Sequence, residues 1–392
     1  MDQQRTHDRP RLLVAASTFP SRRGDGTPGF VLDLAEAVAS EFRVLVVAPM
    51  VEGAARHEWI GDVEVRRYRY FPRRWQDLAE GAIVDNLRAD RTRWLQVPFF
   101  FGALAGALLR ARLQHRPQVA HLHWIIPQGL VGALVLGSVP RVITTLGGDL
   151  YALRHPVLQR LKSRVVAGAR YVTCMSGDMA SELARLGADP ERVRVVPMGV
   201  DVDPLRRAGE REDRLADRVL FVGRLVEKKG AAVFLDAVRE LPAADGVVVG
   251  SGPLRSALEA AAPSTVSFVG ALGREDLATQ YARAAIAVHP SVPAASGDRD
   301  GLPVALLEAM SSGCAIVASR VPGIVDVVED GVNGILVPPG DAAALREAIR
   351  SLLEDESLRT RLGEAARRTA EAYSVEAISA TYRDLLRETA AG

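Results

Sequence analysis

The stretch VLFVGRLVEKKGAAVFLDAVRE, residues 219–240, decides the architecture. Residues 219–222 are a continuous apolar run, 223–230 a charged turn ending in glycine, and 231–240 apolar at helical spacing. An apolar strand followed by a helix is the repeating unit of a parallel sheet covered on both faces. Downstream, strand-like runs recur at 247–250, 266–269, 286–289, 315–318 and 335–337. Upstream, they stand at 12–17, 44–48, 119–124, 141–146, 171–176 and 193–197. Between the two series lies a turn-rich stretch of mixed charge, 201–217, expected as a linker. The expected fold class is therefore α/β: two Rossmann-like, doubly wound parallel-sheet domains, 1–200 and 218–372. Three amphipathic helices, 342–354, 358–372 and 375–389, follow without an intervening strand and suit a tail packed across a domain boundary.

Bulk properties agree with two domains. The 392 residues exceed one ordinary domain, and 48% hydrophobic with 25% charged residues is globular composition. Lys plus Arg number 49 against 48 for Asp plus Glu, a net charge of +1, which argues against general nucleic-acid binding. Cys174 and Cys314 sit in apolar runs without a CxxC or histidine neighbour, so buried free thiols in a reducing compartment are expected. Residues 1–11 are polar, with no apolar core of a secretory signal. The most apolar run, 95–109, falls short of the roughly 20 residues a membrane span needs.

In open parallel sheets ligands bind beyond the carboxyl ends of strands, and there the motifs fall. Ser17–Pro20 and a Gly-rich loop, with Gly26 at its centre, lead into a helix, which suits a diphosphate. Glycine also supplies turns for purely structural reasons. His121 and His123 share one strand face; His123, at the strand end, is the better placed to meet substrate, with a satisfied structural histidine as the alternative. Asp149, in Thr144–Asp149, either accepts an acceptor hydroxyl or caps a turn. Arg224 and Lys229 follow the first strand of the second series, where two cations suit the charge on a leaving diphosphate. Gly250 and Gly252 form another strand–turn–helix. Glu308 lies in an otherwise apolar helix, where an unpaired carboxylate is costly, so it needs polar partners such as ribose hydroxyls. Asp300, Gly301 and Leu302 precede that helix.

Taken together, these motifs resemble the retaining nucleotide-sugar glycosyltransferases of family 4, with the GT-B architecture. The resemblance is strongest over 219–341: Gly223-Arg224-Leu225 with Lys229-Gly230, the Gly250–Leu254 turn, Asp300 and Glu308 in a Glu-x7-Glu spacing, and Glu308-Ala309-Met310 with Gly313. It implies two domains facing a cleft, with the helix at 373–392 returning to the N-terminal domain. Arg224 and Lys229 would hold the donor diphosphate, Glu308 the ribose, and Asp300 the hydroxyls of the moving sugar. Gly223, Gly250, Gly252, Gly301 and Leu302 would line the nucleotide, the Gly26 loop would close over the phosphate, and His123 would face the reacting sugar. The implied enzyme is a retaining, metal-independent hexosyltransferase with no cofactor, using a UDP- or GDP-sugar as co-substrate. Departures are Asp25 for a glycine, Asp300 for the first glutamate, Gly147 for a histidine, and Pro322, Gly323 and Asp326 for Gly-Gly and Glu. A GT-B sugar-nucleotide epimerase and a non-catalytic sugar-nucleotide binder are the rivals.

Arg66, Arg67, Arg69, Arg73 and Arg74 cluster with Tyr68, Tyr70, Phe71 and Trp75, ahead of Trp94 and Phe99–Phe101. Basic and aromatic residues beside an apolar helix suit an anionic membrane surface, whereas a core helix beside solvated arginines has the same periodicity. The chain is expected in the cytoplasm, with the inner face of the membrane and a lipid-linked glycan or polysaccharide precursor as acceptor under the first reading.

Overall fold

The computed structural model describes residues 9–22, 29–81, 83–152, 155–294 and 301–392. The chain divides into two units: Met1–Met175, Met179–Val196 and Ile378–Gly392 form the first, Ser176–Asp178 and Pro197–Ala377 the second.

The first unit is built on eight strands: β1 (Arg11–Ala15), β2 (Arg43–Pro49), β3 (His57–Ile60), β4 (Val63–Tyr68), β5 (Val119–His123), β6 (Arg141–Thr144), β7 (Tyr171–Cys174) and β8 (Val193–Val195). Their order is β3-β4-β2-β1-β5-β6-β7-β8, parallel except for the edge hairpin β3–β4. Apolar residues of β1, β2 and β5 are almost wholly buried, as strands covered on both faces require. The order reverses between β1 and β5, so loops leaving these two strands open the natural ligand crevice of this sheet.

In the second unit β9 (Leu215–Val222), β10 (Asp245–Val249), β11 (Val266–Gly270), β12 (Ala284–His289), β13 (Ala315–Ser319) and β14 (Ile335–Val337) pair in the order β11-β10-β9-β12-β13-β14, all parallel. Here the reversal lies between β9 and β12. Val219, Phe221, Phe234, Ile286, Val317 and Leu345 form part of the core beneath it.

Several expectations need correction. The stretch 201–217 is not a free linker: Asp201 caps a helix, Val202–Gly209, whose Leu205 and Ala208 are buried, and Arg274 pairs with Asp201 at 2.6 Å within the second unit. Turn-forming Asp and Pro served there as a helix start. Of the three tail helices, Ala342–Glu354 and Glu356–Ala370 belong wholly to the second unit, whereas the last, Val375–Ala391, returns as expected, its residues from Ile378 onward belonging to the first.

The basic-aromatic cluster is also divided. Arg66 and Arg67 lie in the unexpected strand β4. Arg66 pairs with Glu64 at 2.8 Å, and Arg67, its side chain fully buried, pairs with Glu58 at 3.2 Å and donates to the Pro20 carbonyl at 2.6 Å. Both arginines are thus paired within the hairpin, Arg66 with an acid of its own strand and Arg67 with one of β3. Tyr68 and Tyr70 are buried against Phe100, with ring centroids 5.8 and 5.0 Å away. The apolar segment is longer than its most apolar core: Arg91–His115 is long and apolar enough, by length and composition, to cross a membrane. Its stripe of Phe100, Leu104, Leu108 and Ala111 is nonetheless packed inside the unit.

Tyr382 anchors the C-terminal helix, fully buried between Thr144 and Thr173. Truncating a buried aromatic costs about 3–5 kcal/mol. Tyr382→Ala is expected to lose about that much in urea unfolding, and Tyr382→Phe no more than about 1.5 kcal/mol, the value of a net hydrogen bond.

Candidate functional site

At the β9/β12 reversal the structure brings three loops into backbone contact. Val222 ends β9, and the turn 223–230 follows. Gly223 donates to Val249 at 3.0 Å, and Leu225 to Ser251 at 2.8 Å, which fastens this turn to the one leaving β10. Gly250 has φ +141°, and a Cβ there would lie 1.9 Å from the Gly223 carbonyl oxygen. Gly230 has φ +70°, and a Cβ there would lie 1.8 Å from the Pro290 carbonyl oxygen. Both positions therefore demand glycine on two grounds, conformation and space. Val292, in the loop leaving β12, donates to Lys228 at 2.9 Å and completes the junction. Arg224 is exposed at its rim and Lys229 half-buried. The backbone packing fixes the turn that carries them at the carboxyl edge of the sheet.

The loop from β12 leads to the helix Val304–Ser311, opened by buried Gly301, Leu302 and Pro303. Glu308 is half-buried in its second turn. The Tyr281 hydroxyl donates to Glu308 Oε2 at 2.9 Å and lies 3.2 Å from the Ala305 carbonyl. Burial first, then the Glu308 charge, pushes the Tyr281 hydroxyl well above its usual range, so it stays a donor. This partner was not identified from sequence; the usable signal was a tyrosine at a buried helical position, whose hydroxyl must find an acceptor. Asp300 and Gly26 lie outside the described residues.

The first unit presents its own set at the β1/β5 reversal. His121 and His123 stack with ring centroids 4.3 Å apart. His121 Nε2 is 2.7 Å from Thr144 Oγ1, which lies 2.6 Å from Thr173 Oγ1, and Tyr382 closes the chain at 3.1 Å. His123 is 1% exposed, and neither ring nitrogen has a hydrogen-bond partner among the described residues. Burial, then His121, holds the His123 imidazole well below its usual range, and burial alone lowers His121 to about 3. Both rings are neutral near pH 7. Next to them Trp124 has φ +75°, unusual for a residue with a side chain. Its amide donates to Thr144 at 2.7 Å and its carbonyl accepts from Gly129 at 3.0 Å, so the turn is held from both sides. The Gln128 amide, oriented to satisfy both neighbours, donates to the His123 carbonyl at 3.1 Å and accepts from the Ser17 amide at 2.8 Å. It thereby ties the loops leaving β5 and β1.

Asp149 does turn-building work. Its Oδ2 accepts from the Ile125 amide at 2.7 Å, and Oδ1 from Thr145 Oγ1 at 2.8 Å and the Leu146 amide at 3.3 Å. Burial pushes its carboxyl up, and these hydrogen bonds oppose the shift. The structure thus places Asp149 as the clamp between the β5 and β6 loops.

Two open sheets of this order, each with its motifs at the strand-order reversal, define the GT-B fold. The solved structures agree: sucrose-phosphate synthase from Thermosynechococcus elongatus matches with TM-score 0.78 at 22% identity, covering 98% of this chain and 99% of that one. Anabaena HepE in complex with UDP-glucose matches with TM-score 0.71 at 18% identity, over 96% and 99%. In sequence, residues 25–204 match the family described as Glycosyltransferase Family 4 and residues 216–355 the one described as Glycosyl transferases group 1. A D-inositol 3-phosphate glycosyltransferase of Geodermatophilus obscurus is 32% identical over 345 residues, 76% of this chain and 73% of that protein. The amylovoran biosynthesis glycosyltransferase AmsK of Erwinia amylovora is 31% identical over 226 residues. The chain spans about half the length of AmsK and of WcaL from Salmonella typhimurium, 56% and 54%. The chain belongs to glycosyltransferase family 4.

The neutral histidines make folding sensitive to acid. Unfolded histidine takes up a proton near pH 6.5, whereas folded His121 resists until about pH 3. Its contribution is therefore complete above pH 6.5 and is lost progressively as pH falls toward 3, by about 2 kcal/mol at pH 5. Urea unfolding at pH 7 and pH 5 should show this loss, and His121→Asn should reduce the difference between the two pH values by about that amount.

Proposed function

We propose that this chain transfers a glycosyl group from a nucleoside-diphosphate sugar, held by the second unit, to an acceptor hydroxyl presented by the first. The observation that carries this reading is the meeting of the Arg224–Lys229 turn, the Gly250 turn and the loop from β12 at one strand-order reversal. Turns gathered at the carboxyl end of a parallel sheet are where ligands of such sheets bind. Two cations beside a bound diphosphate stabilise the charge that grows on the leaving group.

The reaction breaks the bond between the anomeric carbon and the diphosphate oxygen and forms one to the acceptor oxygen. The acceptor oxygen approaches on the face that the phosphate leaves and passes its proton to it, so the configuration is retained, with Arg224 and Lys229 rather than a metal balancing the phosphate charge. Glu308, oriented by Tyr281, receives the ribose hydroxyls. Neutral His123 faces the sugar as a hydrogen-bonding group whose charge does not change near pH 7. Asp300 takes the hydroxyls of the moving sugar. The named ligands of similar structures, UDP-glucose in HepE among them, support a UDP-sugar donor. The phosphorylated acceptor named for the Geodermatophilus relative and the polysaccharide named for AmsK support a glycan or sugar-phosphate acceptor.

A peripheral membrane seat belongs to the same reading. Trp75 and Trp94 are 55% exposed, Phe99 59% and Leu95 70%, beside exposed Arg73, Arg74 and Arg91. Aromatic rings with cations suit an anionic headgroup layer, where a lipid-linked acceptor would be found. Flotation on phosphatidylglycerol vesicles at low salt should recover the protein; no recovery sinks this part.

Thermal-shift screening against nucleotide sugars identifies the donor, since a specific ligand raises the melting temperature by mass action. With that donor, Lys229→Ala should lower kcat/KM by about 100-fold or more, and Glu308→Gln should lower kcat/KM chiefly through a higher donor KM, both without loss of folding. Wild-type rates in either variant would refute the assigned roles. Donor incubated alone should not be interconverted; an epimeric sugar nucleotide in that tube would favour the epimerase.

A further inference from the structure

A cavity separate from the β9/β12 site opens in the first unit beyond the carboxyl ends of β2 and β4. Its volume is about 980 Å³, at the upper end of small-molecule sites. The walls are the loop after β2, the loop after β4 and the turn at 90–96. Gln76 fixes two of them together: its Oε1 accepts from the Tyr70 and Phe71 amides at 3.1 and 3.3 Å, and its Nε2 donates to the Met50 carbonyl at 2.6 Å. Asp77 fixes the third by pairing with Arg93 and accepting from Gln96, both at 2.7 Å. The cavity is therefore preformed rather than a gap between loose loops.

Its charges are unevenly spent. Asp77 and Arg93 neutralise each other, and Asp90 is occupied in capping the Thr92 amide at 2.8 Å. Arg69, Arg73 and Arg74 also line the cavity, and none has an acidic partner among the described residues. The Arg74 guanidinium instead lies 4.0 Å from the Trp75 ring centre. Glu52 and Glu80 remain as carboxylates in the lining, and Phe71 and Trp75 add aromatic faces. Phe71 is braced by Phe99 at 5.5 Å.

Each ingredient selects a part of the same ligand. Guanidiniums hold phosphate or carboxylate in paired hydrogen bonds. Carboxylates accept hydrogen bonds from hydroxyls, and aromatic faces cover the apolar face of a pyranose ring. An acyl chain would strand both carboxylates and arginines without water, at a cost no lipid tail repays. A neutral sugar would leave three arginines unanswered.

We propose that this cavity seats the acceptor as an anionic saccharide, a sugar whose phosphate or carboxylate is gripped by Arg69, Arg73 and Arg74. The inference rests on the glycosyl-transfer reading and narrows its acceptor to a charged sugar held at a stated place in the first unit. Two strand spacings, roughly 10 Å, separate β2 from β5, so a ligand anchored by its anion can extend along the sheet edge toward His123.

Calorimetric titration of the full chain tests it, with glucose 1-phosphate, glucuronate and glucose as probes. At least one charged sugar should bind, and glucose at least tenfold more weakly. Its affinity should fall at least tenfold in the Arg73→Ala/Arg74→Ala double variant, whose substitutions are on the surface, and persist in Arg224→Ala/Lys229→Ala. Glucose 1-phosphate alone binding identifies the anion as phosphate, and glucuronate alone identifies carboxylate. The inference is overturned if no charged sugar binds, if glucose binds equally, if the Arg73/Arg74 variant keeps full affinity, or if the Arg224/Lys229 variant loses it. Titration of wild type with UDP and GDP keeps the two readings apart: nucleotide binding without charged-sugar binding leaves glycosyl transfer standing and removes only this cavity's assignment.

Discussion

The second unit of this protein depends on backbone packed against backbone where side chains would normally stand. At the reversal of strand order in the second sheet, Gly250 lies over the Gly223 carbonyl and Gly230 over the Pro290 carbonyl, each closer than a Cβ permits. Three loops from β9, β10 and β12 are thereby drawn to one edge, and the first of them carries Arg224 and Lys229. Glu308 is set by an analogous economy: a buried tyrosine hydroxyl takes one carboxylate oxygen and fixes the side chain's direction.

The first unit uses a different device. A chain of polar contacts runs from Tyr382 on the C-terminal helix through Thr173 and Thr144 to His121, and the His121 ring stacks on His123. Desolvation keeps both imidazoles uncharged. The final helix is thus not a loose appendage but part of the wall behind the strand that carries His123.

Much of this could be read before the structure. Twelve of the strands announced themselves as apolar runs, and the motifs could be placed because parallel sheets bind ligands past their strand ends. The edge hairpin β3–β4 escaped notice because Arg66, Arg67 and Tyr68 looked like a surface patch; Glu64 lies just before that patch, and Glu58 becomes Arg67's neighbour only once the strands pair. Helix 202–209 was hidden by capping residues that also mark turns. Tyr281, Gln128 and Tyr382 share one trait that no local pattern displays: each matters through a partner distant in sequence. Asp149 was legible as a polar residue after a strand, and only its three donors reveal which work it does.

The central claim is that the second unit's convergent loops cradle a nucleoside diphosphate. A crystal structure of the chain with bound UDP or GDP tests it most directly. The account predicts phosphate oxygens within hydrogen-bond distance of Arg224 and Lys229 and ribose hydroxyls on Glu308. A nucleotide bound elsewhere, or bound there with none of these three side chains in contact, would contradict it.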